Sequence, residues 1–334
     1  MRVLRLSIAH GRRWAHGDAP RAVLAPPGPA RRRAFAVLAH TWTGQGRGAA
    51  PPSPCGPHRI AVILHGILGS KANWNTPAKR LLEHVGPLGW RVLQLDLRAH
   101  GQSPVGEPPH TLEACAEDVL ETLGSLGVDP ERDDIVMCGH SFGGKVALTF
   151  ARARMLAGQP PPSKTWIFDS VPGSPVEHSL ERQRREQSVS FVLAAVEAAA
   201  RGGSYPDRSA LVGALQDEHG LRKPLAQWVA QSVRTDQDGV RLAYDTEVIR
   251  AMYEEYRGTD LWSVLRSGSG RFGVVVAGRN RHAWGEENLA QLGGCGDHVQ
   301  VVHLPDAGHN VHVDDLKGLL DALRPTFGGE AASA

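Results

Sequence analysis

Gly139-His140-Ser141-Phe142-Gly143, lodged between a strand-like run and a helix-like one, constrains this chain more than any other feature. Ile135 to Cys138 has the apolar character of a buried strand, and Gly143 to Ala157 is a helical pattern closed at Gly158. A serine on such a sharp strand-to-helix turn needs small residues two positions to either side, because the backbone there is crowded and strained. The turn lifts the hydroxyl above the sheet at a helix N-terminus, where unpaired N–H groups favour developing negative charge. Ser141 is therefore the candidate nucleophile.

The rest of the chain alternates in the way a mostly parallel α/β sheet with helices on both faces requires. Strands are predicted at Ala34 to His40, Ile60 to Leu64, Arg91 to Leu95, Thr165 to Phe168, Val274 to Ala277 and Val299 to His303. A helix is predicted from Thr76, where Thr76-Pro77 suits an N-cap with Pro first, to Val85. Leu112, Ala116, Val119, Leu123 and Leu126 recur at helical spacing, so Thr111 to Gly127 is a second helix. From Val176 to about Ser267 the alternation stops. That stretch is rich in helix formers, broken at Gly202-Gly203 and Asp238-Gly239, and predicts an all-helical cap over the strand ends where ligands bind. The expected layout is a leader over 1–58, a folded domain over 59–327 with its cap at about 176–267, and a flexible tail over 328–334.

Charge divides the chain unevenly. Ten Arg and a single acid, Asp18, give +9 up to Arg59, so a formal total of +2 leaves the remainder at −7. A mildly acidic body argues against a nucleic-acid surface. The Arg-rich, acid-poor leader cannot pack a core and has the composition of an organellar transit peptide. No run approaches the roughly 18 apolar residues a membrane span needs. Cys55, Cys115, Cys138 and Cys295 are scattered without metal or disulfide spacing, so neither a metal nor a cofactor is expected.

A serine needs a base to become a nucleophile. His309, in Asp306-Ala307-Gly308-His309-Asn310, follows the last strand and so stands at the same sheet edge as Ser141. His312 is expected to support from nearby, His303 to be structural and Asp306 to shape its own turn. His65-Gly66-Ile67-Leu68-Gly69 follows the strand at Ile60 to Leu64 and can bring a second amide to the acyl oxygen beside that of Phe142. Ile67 is the expected donor and Leu68 the alternative. The acid is expected at Asp169, at the end of the strand after the nucleophile, with Glu286 or Glu287 as alternatives. The loop Gly278 to Trp284, a common place for the acid, holds no carboxylate. His65, Asn73, Trp74 and His140 are candidate substrate contacts, with loop bracing for His65 and core packing for Asn73 and Trp74 as the competing roles. Asp96 to Ser103 is expected to be a turn that anchors the nucleophile region.

Four segments carry a resemblance: His65 to Trp74, Asp96 to Ser103, Gly139 to Lys145 and Ala307 to His312. They resemble the YbfF-type bacterial esterases of the α/β-hydrolase superfamily and their mitochondrial relatives, over about Ile60 to Phe327. Asp169-Ser170-Val171-Pro172-Gly173, Gln227-Trp228-Val229, Glu254-Glu255-Tyr256 and Arg281 to Trp284 are closer to plastid-type plant and algal members. The resemblance implies the α/β-hydrolase fold, hydrolysis of small-molecule esters or acyl thioesters, and an acid at Asp169, as in some members. It also tilts localisation toward chloroplast rather than mitochondrion. Asn310 stands where an aromatic often follows the histidine, which implies an altered pocket rim. The same triad would serve an acyltransferase, and a ligand-binding relative without turnover is the third expectation.

Overall fold

Six short runs form the parallel part of a seven-stranded sheet; five are buried on both faces, and the last, Val299–Leu304, lies at the sheet edge with His303 exposed. The computed structural model describes residues 36–44, 57–176 and 178–328. The first half runs β1 (His40–Trp42), β2 (Arg59–Leu64), α1 (Asn75–Val85), β3 (Trp90–Leu95), α2 (Leu112–Ser125), β4 (Asp134–His140), α3 (Phe142–Leu156) and β5 (Lys164–Phe168). A cap follows: α4 (Leu180–Glu186), α5 (Val189–Arg201), α6 (Arg208–Asp217), α7 (Lys223–Val229), β6 (Val233–Asp236), β7 (Gly239–Leu242), α8 (Thr246–Gly258) and α9 (Trp262–Arg266). The chain then returns through β8 (Phe272–Ala277), α10 (Arg281–Gly293), β9 (Val299–Leu304), α11 (Val311–Asp314) and α12 (Leu316–Leu323).

The strand order is β1-β3-β2-β4-β5-β8-β9, and only β1 pairs antiparallel. Alternate residues of β2 enter different cores, as a period of two demands. Ile60, Val62 and Leu64 pack toward α2, α3 and the cap, whereas Ala61 and Ile63 pack with Trp74, Leu81 and α12. Pairing of His140 with Phe168 brings the C-terminal ends of β4 and β5 level. Ser141 and Asp169 leave the sheet at that shared edge.

The structure corrects three expectations. The folded unit does not begin at 59, because residues 36–44 belong to the sheet. β1 lies at His40–Trp42 rather than Ala34 to His40, and the Ala36 and Leu38 amides donate to Asp118 Oδ1 and Thr122 Oγ1 of α2, each at 2.8 Å. The leader up to residue 35 and the tail from 329 lie outside the described residues. The cap is not all-helical either. Val233-Arg234-Thr235-Asp236 and Gly239-Val240-Arg241-Leu242 form a hairpin, and Asp238-Gly239 is its turn rather than a break between helices. Finally, Thr76 does not cap α1, which starts at Asn75 on from a short 3-10 turn.

Candidate active site

Ser141 sits between β4 and α3 with φ 50° and ψ −117°, a conformation that L-residues avoid. The turn is held by its neighbours: the Ser141 amide donates to the Phe168 carbonyl at 3.0 Å, and Ser170 Oγ donates to the Ser141 carbonyl at 2.6 Å. Crowding explains the flanking glycines. A Cβ at Gly143 would stand 2.5 Å from the His65 carbonyl oxygen, and one at Gly139 only 2.1 Å from that of Gly143. Phe142 opens α3, so its N–H has no partner within the helix.

His309 lies in the loop between β9 and α11, and its Nδ1 is 2.7 Å from Asp169 Oδ2. Asp169 is fully buried at the end of β5 with φ 45°, a left-handed conformation that Asp tolerates. Its amide donates to the Val275 carbonyl, which ties it to β8. Three further donors reach its carboxylate: Asn280 Nδ2 at 2.6 Å, Trp284 Nε1 at 2.9 Å and the Ala277 amide at 3.2 Å. Glu286 and Glu287 are exposed on α10 and touch no part of His309 among the described residues. Ser141, Asp169 and His309 line one cavity of about 740 Å³ beneath the cap.

The loop after β2 lies against Ser141, since a Cβ at Gly66 would stand 3.2 Å from Ser141 Cβ. Leu68, at φ 60°, gives its N–H to His100 Nε2 at 3.0 Å and so is not free to act as donor. The Ile67 N–H has no acceptor among the described residues.

The four candidate substrate contacts lie elsewhere. His65 Nε2 accepts from the Leu97 amide at 2.9 Å, its Nδ1 donates to the Gly66 carbonyl at 2.8 Å, and burial lowers its pKa, so it braces the loop as a neutral imidazole. Asn73 Oδ1 accepts from the Ser70 amide. Trp74 is buried in the core, stacked between Phe168 at 5.7 Å and His312 at 4.3 Å. His140 Nε2 donates to the His309 carbonyl at 2.8 Å, and burial holds its pKa well below the usual value. None of the four lines the cavity. Likewise, the loop Asp96 to Ser103 braces the loop after β2, through Leu97 and His100 and through the Lys71–Asp96 ion pair at 2.5 Å, rather than the nucleophile turn.

Sequence reasoning missed several residues at the site. Asn280 and Trp284 occupy the loop where a carboxylate was sought and supply neutral donors to one instead. Tyr256, on α8 of the cap, packs its ring 6.2 Å from that of Phe142. Burial pushes its phenol up, while the Ser170 and Ser141 hydroxyls pull the other way. Lys145 of α3 is wholly buried and donates to the Tyr256 and Thr259 carbonyls at 2.5 and 2.6 Å; burial lowers its ammonium to about 7. No group of residues among those described has the make-up of a metal site.

Comparison with known proteins agrees with the fold. The chain is 36% identical over 153 residues to the sn-1-specific diacylglycerol lipase ABHD11 of Mus musculus, covering 42% of this chain and 47% of that protein. The matched stretch thus spans less than half the length of that relative. N-formylmaleamate deformylase of Pseudomonas putida is 23% identical over 264 residues, covering 78% of this chain and 86% of that one. Among solved structures, a marine microorganism esterase superposes with a TM-score of 0.62 at 19% identity, over 86% of this chain and 97% of that one. Residues 61–322 match the alpha/beta hydrolase family as a whole, and this chain belongs to it.

Proposed function

We propose that this protein is a serine hydrolase that cleaves carboxylic esters or acyl thioesters through an acyl-enzyme on Ser141. The observation that carries this reading is the 2.7 Å contact of His309 Nδ1 with the buried Asp169 carboxylate, in the cavity that Ser141 also lines. An imidazole held this way keeps Nε2 as its basic nitrogen, and the carboxylate stabilises the positive charge that a proton brings. Ser141 Oγ attacks the acyl carbon and its proton passes to His309. His309 returns that proton to the departing alcohol or thiol. Water then gives a proton to His309 and attacks the acyl-enzyme; as the acid leaves, His309 passes that proton to Ser141 Oγ, which restores both. The Ile67 and Phe142 amides hold the oxyanion in both halves, a term worth roughly 3–4 kcal/mol per donor.

The cavity has room for a sizeable acyl group. Val171, Val176, Val189 and Leu193 offer it an apolar wall. The ABHD11 relative's name makes a glyceride ester one class to include. The test is turnover of nitrophenyl esters, acyl-CoAs and diacylglycerol by the full chain, beside Ser141→Ala. Hydrolysis that vanishes in Ser141→Ala supports the reading. Turnover that survives the substitution, or Ser141 that resists a fluorophosphonate probe, overturns it.

The Arg-rich, acid-poor leader supports import into an organelle, and the resemblance to plastid-type members puts chloroplast before mitochondrion. A fluorescent protein fused behind residue 35 that stays cytosolic would count against this.

A further inference from the structure

The Ile67 amide is one end of a chain of hydrogen bonds that begins in the cap. Tyr244, which follows the cap hairpin, is buried, and its hydroxyl donates to the Leu68 carbonyl at 2.7 Å across 176 residues of sequence. The Leu68–Gly69 peptide carries that carbonyl at one end and the Gly69 N–H at the other. The Gly69 N–H in turn donates to the Gly66 carbonyl at 3.0 Å. The Gly66 carbonyl shares its peptide with the Ile67 N–H. Because a peptide is planar and trans, a donor that fixes the carbonyl also fixes the direction of the N–H opposite. Each bond in such a chain also polarises the next.

Resting on the serine-hydrolase reading, we propose that Tyr244 is a positioning residue: through Leu68–Gly69 and Gly66–Ile67 it orients and polarises the Ile67 N–H for the acyl oxyanion. The cap thereby takes part in the chemistry as well as enclosing the substrate. The surroundings suit the task. His65 Nδ1 gives the Gly66 carbonyl a second donor, and His100 takes the competing Leu68 N–H out of play. Leu68 is held at φ 60°, so the loop needs restraint on both sides to keep this shape. Burial pushes the Tyr244 phenol up to about 12, partly offset by the Ser232 hydroxyl, so the donor keeps its proton throughout the neutral range. Tyr244 lines no part of the Ser141 cavity, so the effect on it runs through the backbone and not through substrate contact.

Tyr244→Phe removes the donor and keeps the ring. Its control is Tyr205→Phe, which deletes another tyrosine-to-carbonyl bond of the cap, to Ala199 at 3.0 Å, with no link to the Gly66 loop. Deleting a whole oxyanion donor costs 10²–10³ in rate, so losing its polarising partner is expected to lower kcat about tenfold, with KM changed less than about twofold. Affinity for a trifluoromethyl ketone, which forms the tetrahedral adduct, should fall by about the same factor, and the Ile67 amide proton should move upfield. Tyr205→Phe should do none of this. 3-Fluorotyrosine at position 244, a stronger donor of nearly equal size, should move the Ile67 proton downfield; this arm stands even where Tyr244→Phe fails to fold. Unchanged kcat in Tyr244→Phe, an equal loss in Tyr205→Phe, or an Ile67 resonance indifferent to either change at 244 overturns the relay. If wild-type turnover survives Ser141→Ala, the serine-hydrolase reading fails and the relay falls with it. If turnover depends on Ser141 and ignores Tyr244, the relay alone fails.

Discussion

Asn280 Nδ2 lies 2.6 Å from Asp169 Oδ2, the same oxygen that His309 Nδ1 meets at 2.7 Å. The amide therefore helps to hold a buried carboxylate aimed at the imidazole. Asn280→Leu, close in size, should lower kcat about tenfold, in the range of a lost charge-assisted hydrogen bond. Asp169→Asn should cost far more, about 10³–10⁴-fold, because it loses the partner that fixes the imidazole tautomer. Glu286→Gln with Glu287→Gln should leave kcat unchanged. Steady-state hydrolysis of one nitrophenyl ester by the three variants separates these outcomes, and an equal loss in the double glutamine variant would remove Asp169 from its role.

Gly143 has no room for a methyl group, with two backbone oxygens, those of His65 and Leu64, at 2.5 and 2.7 Å from the position a Cβ would take. Backbone cannot step aside as a side chain can. Gly143→Ala should destabilise the fold by about 3 kcal/mol, the upper end of overpacking costs. A urea titration reads this directly, and a midpoint equal to wild type would show that the turn is looser than its geometry.

Residues 36–44 cover the outer edge of β3 and bury Leu38 completely. A chain begun at Pro57 loses that cover, whereas one begun at Ala36 keeps it. The shorter chain should be less stable by at least about 2 kcal/mol from Leu38 alone, and its bare strand edge should promote association. Thermal melts and light scattering on the two chains check both statements. Equal behaviour would mean that the segment adds nothing to the domain.

His312 is held to about 4 by burial, with the nearby His309 adding to the effect. Between about 4 and the unperturbed value of 6.5 the unfolded chain therefore binds the proton that the fold excludes, so stability falls as pH falls through that window. The shift corresponds to about 3 kcal/mol. His312→Phe keeps a ring on Trp74 and removes the titration, so its stability should depend less on pH from 6.5 to 4. Urea midpoints at several pH values decide the matter; parallel curves for the two proteins would exclude His312 as a source of acid sensitivity.

The central strands β2, β3, β4, β5 and β8 are legible because they are buried on both faces and read as largely apolar runs. The cap hairpin is not, although Asp238-Gly239 is a strong turn signal. Its first strand leaves Arg234, Thr235 and Asp236 exposed and buries nothing fully, and its second buries only Val240 and Leu242, so helix formers on either side dominate the pattern. Ser141, His309 and Asp169 stand out because each ends or follows a recognisable strand. Asn73 and Trp74 sit in a conspicuous motif yet serve a cap and the core, since a short segment shows residue types but not which side of the loop the cavity occupies. Asn280 is not legible as a site residue, because a neutral amide carries no charge signal to mark its bond to Asp169. Lys145 and Tyr244 act on carbonyls 111 and 176 residues away, contacts that no local pattern encodes.

Ser141 and Asp169 both lie on the uninterrupted β4–α3–β5 unit, and the cap is inserted only after it. The spacing of Ser141 and Asp169 is thus fixed by one strand register, before the chain enters the helices that shape the cavity. On the proposed mechanism, chemistry and most of the selectivity are written on separate stretches of polypeptide. Cap segments that touch neither Leu68 nor Lys145 can be lengthened, shortened or exchanged while the dyad stays where it is, which makes α4 to α7 the part of this scaffold most open to divergence and to engineering.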